Sequence, residues 1–272
     1  DGTWSRQVIL NEWPWHLTLA SAEDDRLVLL AYTADERSTG TNMVARHLVL
    51  DGGQWRGGVI NEDKPIMLHA RPELQLTSGD GVLVPILQNK GYGPNDQVPN
   101  LWLAQGTLSS PEVWLHERIE ADGVIDTRNA YATKIGQTTH ILTLARDFPI
   151  SSNNPTLQHI TNRDGAWVSE VLPSCANRRC SAFSVQPDDA GRLHAILGWD
   201  DATSNTRTTL LVHGIYEDGA WDFREIDEFQ AWKTRVQWDA GRGVPHILTF
   251  LPAEPEDDEE SAKLTYFALE NR

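Results

Sequence analysis

Two carboxylates, Glu73 and Asp126, stand at the start of strand-like segments in neighbouring stretches of the chain. Held about 5–10 Å apart, such a pair can cleave a glycosidic bond, one as acid and the other as base or nucleophile. A second chemistry, elimination from a uronic acid, needs a cation to neutralise the carboxylate and a base to take the neighbouring proton. Arg71 or Arg128 with His16, His69 or Tyr131 would supply both. The same kind of position holds Trp13, Trp15, Asn129, Arg178, Arg179, Trp232 and Lys233. Indole faces stack on the apolar face of a sugar or attract cations, and Arg forks grip carboxylate, sulfate or phosphate through paired hydrogen bonds. This set is basic and aromatic in a chain of net charge −16, which fits an anionic glycan. It would serve equally to plug a channel and satisfy itself.

What must position these residues is visible in five phased tryptophans. Trp4, Trp55, Trp114, Trp167 and Trp221 each open a strand-like segment just after a turn, with steps of 51, 59, 53 and 54 residues. Counting from Trp221 through the C-terminus and on from Asp1 to Trp4 gives 55. The joint itself is in register: Glu270-Asn271-Arg272 followed by Asp1-Gly2-Thr3-Trp4 rebuilds the internal Thr161-Asn162-Arg163-Asp164-Gly165-Ala166-Trp167. A repeat that closes on itself predicts a ring.

Each repeat reads as four short apolar segments separated by turn residues. In the fourth these are 181–187, 192–199, 206–215 and 220–227, with Pro187–Gly191 and Glu217–Gly219 between them. First hairpins turn likewise at Ala22–Asp25, Ser78–Gly81, Ile135–Gln137 and Asp239–Gly241, where Gly, Asp and Asn supply the positive φ that tight turns require. A period of about 50 residues with four strands each predicts a five-bladed β-propeller, because one four-stranded sheet cannot bury both faces unless neighbours stack on it. The chain is read as one domain, 1–272, with repeats near 1–51, 52–110, 111–163, 164–217 and 218–272. Residues 3–9 are expected to supply the outermost strand of the C-terminal blade, closing the ring. The second strands carry His140, His194 and His246 at one repeat position. Two repeats are apolar there, so these histidines are read as packing residues that hydrogen-bond a neighbouring strand. The five tryptophans are read as wedges between blades.

The ends of the ring differ. Turns at one end are short and uniform, whereas connections such as 89–99, 146–155 and 251–262 at the other are long and unlike one another. Variable loops on a regular scaffold are where binding surfaces are built. That end also receives the leading ends of the innermost strands, which carry Trp13, Trp15, His16, Arg71, Glu73, Asp126, Arg128, Asn129, Arg179, Trp232 and Lys233.

The run Asp218-Gly219-Ala220-Trp221, then a strand, then Val244-Pro245-His246-Ile247, resembles the repeats of bacterial secreted propellers of the sialidase-like or BNR type. In blade number the chain is similar to tachylectin-type five-bladed lectins, which implies glycan binding. Arg71, Arg128 and Arg179, one from each of three successive repeats, resemble the sialidase arginine cluster in placement. The full Asp-box, Ser-x-Asp-x-Gly-x-Thr-Trp, does not occur in the sequence, and five repeats depart from the six blades of sialidases.

Charge and composition bound the rest. An acidic chain opposes the counterion-release attraction on which phosphate-backbone binding depends, so nucleic acid is not an expected partner. No apolar run approaches the roughly 20 residues of a membrane span. Cys175 and Cys180 bracket Ala176–Arg179; two thiols make half a zinc site at best, so a small disulfide is expected, and with it an oxidising compartment. The start at Asp1, with neither Met nor leader, is read as a processed or excised chain that is secreted or periplasmic. The acidic run Glu254-Pro255-Glu256-Asp257-Asp258-Glu259-Glu260 lacks the ligand spacing of a calcium loop and reads as a solvated loop. No metal or cofactor is expected. The sequence thus points to a lectin-like carbohydrate or polar small-molecule binder. Its alternatives are a glycoside hydrolase or polysaccharide lyase acting on an acidic glycan from the same end, then a protein-interaction scaffold.

Overall fold

The computed structural model describes residues 7–11, 14–22, 24–34, 42–61, 66–67, 74–77, 79–88, 100–119, 124–146, 156–172, 179–200, 208–230, 233–239, 244–251 and 263–268. They form an all-β, five-bladed propeller of antiparallel sheets. The chain divides into two compact units, Asp1–Glu120 and Ala121–Arg272.

In the first unit, blade one is β1 (Pro14–Ser21), β2 (Leu27–Ala34), β3 (Asn42–Asp51) and β4 (Gln54–Val59). The two-residue β5 (Ile66–Met67) pairs with both β3 and the middle of the next blade. Blade two is β6 (Gln75–Leu76), β7 (Gly81–Gln88), β8 (Asn100–Thr107) and β9 (Trp114–Ile119). In the second unit, blade three is β10 (Val124–Ile135), β11 (Thr138–Arg146), β12 (Thr156–Thr161) and β13 (Val168–Val171). Blade four is β14 (Arg179–Pro187), β15 (Leu193–Asp200), β16 (Thr208–Glu217) and β17 (Ala220–Gln230). Blade five has β18 (Lys233–Asp239), β19 (Val244–Leu251) and β20 (Lys263–Ala268) among the described residues. Its expected fourth strand falls on residues 3–9, of which 3–6 lie outside the described set and 7–9 are not in a strand.

Middle strands are apolar on both faces because a blade is covered on both sides. Val28 through Tyr32 and Leu193 with Ala195 to Leu197 are all buried, whereas β1, a first strand, alternates half-buried and exposed. In the second unit, Leu142, Leu144 and Leu157 of blade three pack with Leu193, Ala195, Leu197 and Val212 of blade four. Residues of opposite phase, Ile196 and Leu211, pack with Ile247 of blade five. One blade's two faces thus feed two cores.

The tight turns follow their chemistry: Asp218 and Gly219 link β16 to β17 with φ of 52° and 86°, the pair of positive values that a two-residue hairpin needs. The phased tryptophans open outer strands, Trp55 on β4, Trp114 on β9, Trp167 just ahead of β13 and Trp221 on β17. Their rings need flat seats. A Cβ at Gly106 would stand 3.0 Å from the Trp114 ring, and one at Gly214 would stand 3.1 Å from Trp221 and 3.0 Å from Phe223.

Candidate functional site

Three of the first strands break register near their leading ends. In β1, Pro14 faces Thr33 and His16 faces Tyr32, which leaves Trp15 as an extra residue, 62% exposed. In β14 a shift between Ala182 and Ser184 leaves one extra residue. In β10 the break is larger: Asp126 faces Leu144 and Ala130 faces Thr143, so Thr127, Arg128 and Asn129 have no counterpart on β11. A bulge bends its strand and re-aims side chains, and bulges recur beside active sites.

The expected site residues fall as follows. In the first unit, Trp15 and His16 lie on β1, where the half-buried His16 ring is 6.1 Å from Tyr32 and its Nε2 is 3.3 Å from Thr18 Oγ1. Trp13, Arg71 and Glu73 lie outside the described residues. In the second unit, Asp126, Arg128 and Asn129 lie on β10 at its break. Arg179 occupies the first rung of β14, opposite Asp200, and Lys233 the first rung of β18, opposite Phe250. β14 is in contact with both β10 and β18, so three leading strands are neighbours. Tyr131 is buried in the core shared by blades three and four. Arg178 and Trp232 lie outside the described residues. So does Cys175, and with it the expected bridge to Cys180, which faces Trp199 on β14.

A second group of titratable side chains is inside the blades. His140 Nδ1 is 3.0 Å from His159 Nε2, and His194 Nδ1 is 3.0 Å from His213 Nε2. Each pair joins a second strand to a third, and both partners are separated by 19 residues. In blade five His246 Nδ1 meets the Tyr266 hydroxyl at 2.6 Å. The third-strand partners were missed from sequence; the constant separation of 19 was the signal. Next-blade tryptophans close on these rings edge-on: Trp114 on His47 at 5.1 Å and 89°, Trp221 on His159 at 5.3 Å and 80°.

Burial disfavours the charged imidazole. It pushes His47, His140 and His213 down to about 4 and His159 to about 3. His194 is lowered too, against the pull of Asp188. Asp188 is buried, which works against its charge. Hydrogen bonds from the Arg192 backbone and side chain and from His194 outweigh that and hold its carboxyl below the usual range. The histidines are thus neutral packing groups, while Asp188 keeps its charge. Among the described residues no His, Cys, Asp and Glu side chains are grouped to hold a metal, and no helix is long and apolar enough to cross a membrane.

Compared with solved structures, the chain is similar to a polysaccharide lyase, an ulvan lyase bound to -[GlcA(1-4)Rha3S]-. The TM-score is 0.57 at 10% identity, over 93% of this chain and 64% of that one. It is similar to an α-L-arabinanase from Penicillium chrysogenum complexed with arabinobiose, TM-score 0.59 at 10% identity, over 90% and 79% of the two chains. It is similar also to an α-L-arabinofuranosidase from Fusarium graminearum in complex with an iminosugar inhibitor, TM-score 0.58 at 10% identity, over 93% and 82%. The chain spans just under two thirds of the ulvan lyase's length. At such identity the likeness shows the fold alone. No protein-family model and no curated protein sequence matches the chain, so the sialidase-like resemblance of its repeats stays one of pattern.

Proposed function

We propose that this propeller binds and cleaves a carbohydrate, an acidic polysaccharide, at the leading ends of its first strands, outside the cytoplasm. The observation that carries this reading is the break in β10. A three-residue excess at Thr127, Arg128 and Asn129 directly after Asp126 is an irregularity of the kind that recurs beside active sites. β10 is in contact with β14, which begins with Arg179, and β14 in turn with β18, which begins with Lys233. The fold is one that the comparisons find in a lyase and in glycosidases acting on sugars. Fold alone does not bring activity; the residue types at the leading ends, Asp126, Arg128, Asn129, Arg179 and Lys233, supply the argument from chemistry.

Hydrolysis would use Asp126 with a second carboxylate. Elimination would use Arg128 to neutralise the uronate while a base takes the C5 proton. The electron pair forms the new C4–C5 double bond as the C4–O bond breaks. Binding without turnover is the second reading, favoured by the exposed indole of Trp15.

Incubation with a panel of acidic and neutral polysaccharides separates the readings. Reducing ends without ultraviolet absorbance mark hydrolysis, and reducing ends with the absorbance of an unsaturated uronic acid mark elimination. Asp126→Asn is expected to lower turnover by about 100-fold or more with binding kept. Arg128→Ala is expected to weaken binding of an acidic oligosaccharide by ~1–3 kcal/mol. His194→Ala should lower stability and leave affinity near that of the parent. Affinity that depends on His194 and ignores Arg128 would put the site elsewhere.

A further inference from the structure

The histidine pairs of blades three and four are built alike and pinned differently. In blade four Asp188 Oδ2, 3.1 Å from His194 Nε2, accepts that N–H. His194 Nδ1 is therefore bare and accepts from His213 Nε2–H. In blade three the direction is set from the opposite end, by the neighbouring blade. Trp221 Nε1, a donor only, lies 3.2 Å from His159 Nδ1. That nitrogen must be bare, and His159 Nε2–H then donates to His140 Nδ1, the same polarity as in blade four. Yet Glu170 Oε1 stands 3.0 Å from the same His159 Nδ1, and a carboxylate can only accept. One nitrogen thus faces a donor and an acceptor, and it can satisfy one at a time.

We infer that His159 Nδ1 is an acid-operated latch between blades three and four. Bare, it holds the Trp221 indole N–H across the blade boundary; protonated, it donates to Glu170 and lets the indole go. The proton comes from solvent past Glu170, whose side chain is half exposed while that of His159 is fully buried. No covalent bond changes, and the imidazolium is balanced by the Glu170 carboxylate.

The groups facing His159 set the poise. Burial opposes the charge on His159 first, and Arg163, in the turn after β12, opposes it further; His140 on β11 is the second imidazole, 3.0 Å away. Tyr216 on β16 lies edge-on to the ring at 4.6 Å, its hydroxyl taken by Arg163 at 3.0 Å. Glu170 on β13 favours the charge. Released, Trp221 still has Phe223, stacked at 5.7 Å and 6°, so the wedge loosens at the blade edge without the sheets coming apart.

The test is nitrogen and proton NMR of the whole chain, with Trp221→Phe used to identify the indole resonance. At neutral pH His159 is expected to show an unprotonated Nδ1 and a protonated Nε2. On acidification the Trp221 indole proton should move while far-UV circular dichroism is unchanged, and Glu170→Ala should move that midpoint down by about one pH unit. A protonated Nδ1 at neutral pH would overturn the latch. So would an indole resonance that moves only as the fold is lost, or a midpoint that Glu170→Ala leaves in place. The parent chain alone decides the first two, so an unfolded variant does not spare the inference.

Discussion

Glycines beneath rings are the most exacting residues in this fold. Gly214 faces Phe223 across the β16–β17 ladder and lies under Trp221 as well. The two rings are stacked on each other, so neither can yield to a methyl group alone. Gly214→Ala is therefore expected to cost about 1–3 kcal/mol by overpacking, read as a lower urea midpoint with an unchanged slope. An unchanged midpoint would mean that the indole seat is looser than its 3.1 Å approach implies. At this scale the sequence was partly legible. The tryptophans announced themselves by phase, and His140 and His194 by their shared position. Their partners His159 and His213 did not, because a cross-strand contact depends on register, and register is fixed by loop lengths that composition does not encode.

At the scale of elements, strands and hairpins were readable because Gly, Asp and Asn mark the turns. β14 to β17 fall within a few residues of the four segments expected in the fourth repeat. The breaks in β1, β10 and β14 were not readable. A bulge shows itself only against the register of the partner strand, which the sequence does not give, so Arg128 and Asn129 looked like ordinary members of a leading end. The buried histidines make a further prediction about blades three and four. They are neutral in the folded state, with His140 and His213 near 4 and His159 near 3, whereas the unfolded chain protonates them from about pH 6.5 downward. Stability from these groups is therefore full above that range and lost as pH falls from about 6.5 toward 4, by up to ~1.4 kcal/mol per pH unit for each histidine. Thermal denaturation from pH 7.5 to 4.5 should show a plateau and then a steep fall in Tm. The carboxylates Asp80 and Asp188, depressed because their hydrogen bonds outweigh burial, also lose stability as pH falls, but only from the ordinary aspartate range downward. A Tm that rose on acidification would contradict the neutral assignment.

For the whole molecule, the cyclic phase of the tryptophans expects the segment 3–9 to complete the sheet of β18, β19 and β20. Removal of residues 1–9 should then leave an open sheet edge, lowering Tm and promoting self-association measurable by light scattering. A truncated chain with the parent's Tm and monodispersity would mean that the last blade is complete without that segment. The five-fold repeat was legible at this scale because period is a global property that survives local degeneracy, whereas the ligand depends on a few side chains at loop ends.

The smallest strand carries a consequence for how the protein breathes. Through Ile66, paired with Met43 on one side and Gln88 on the other, β5 makes blades one and two a single continuous hydrogen-bonded sheet. Blades three, four and five are separate sheets joined by side chains. Backbone ladders transmit opening more cooperatively than side-chain contacts. Amide hydrogen exchange should therefore find the first two blades behaving as one foldon, with shared opening free energy and shared response to denaturant, while the other three exchange as distinct units. Replacing Ile66 with proline, which breaks β5, should divide that foldon in two, and identical exchange before and after would show that the bridge transmits nothing.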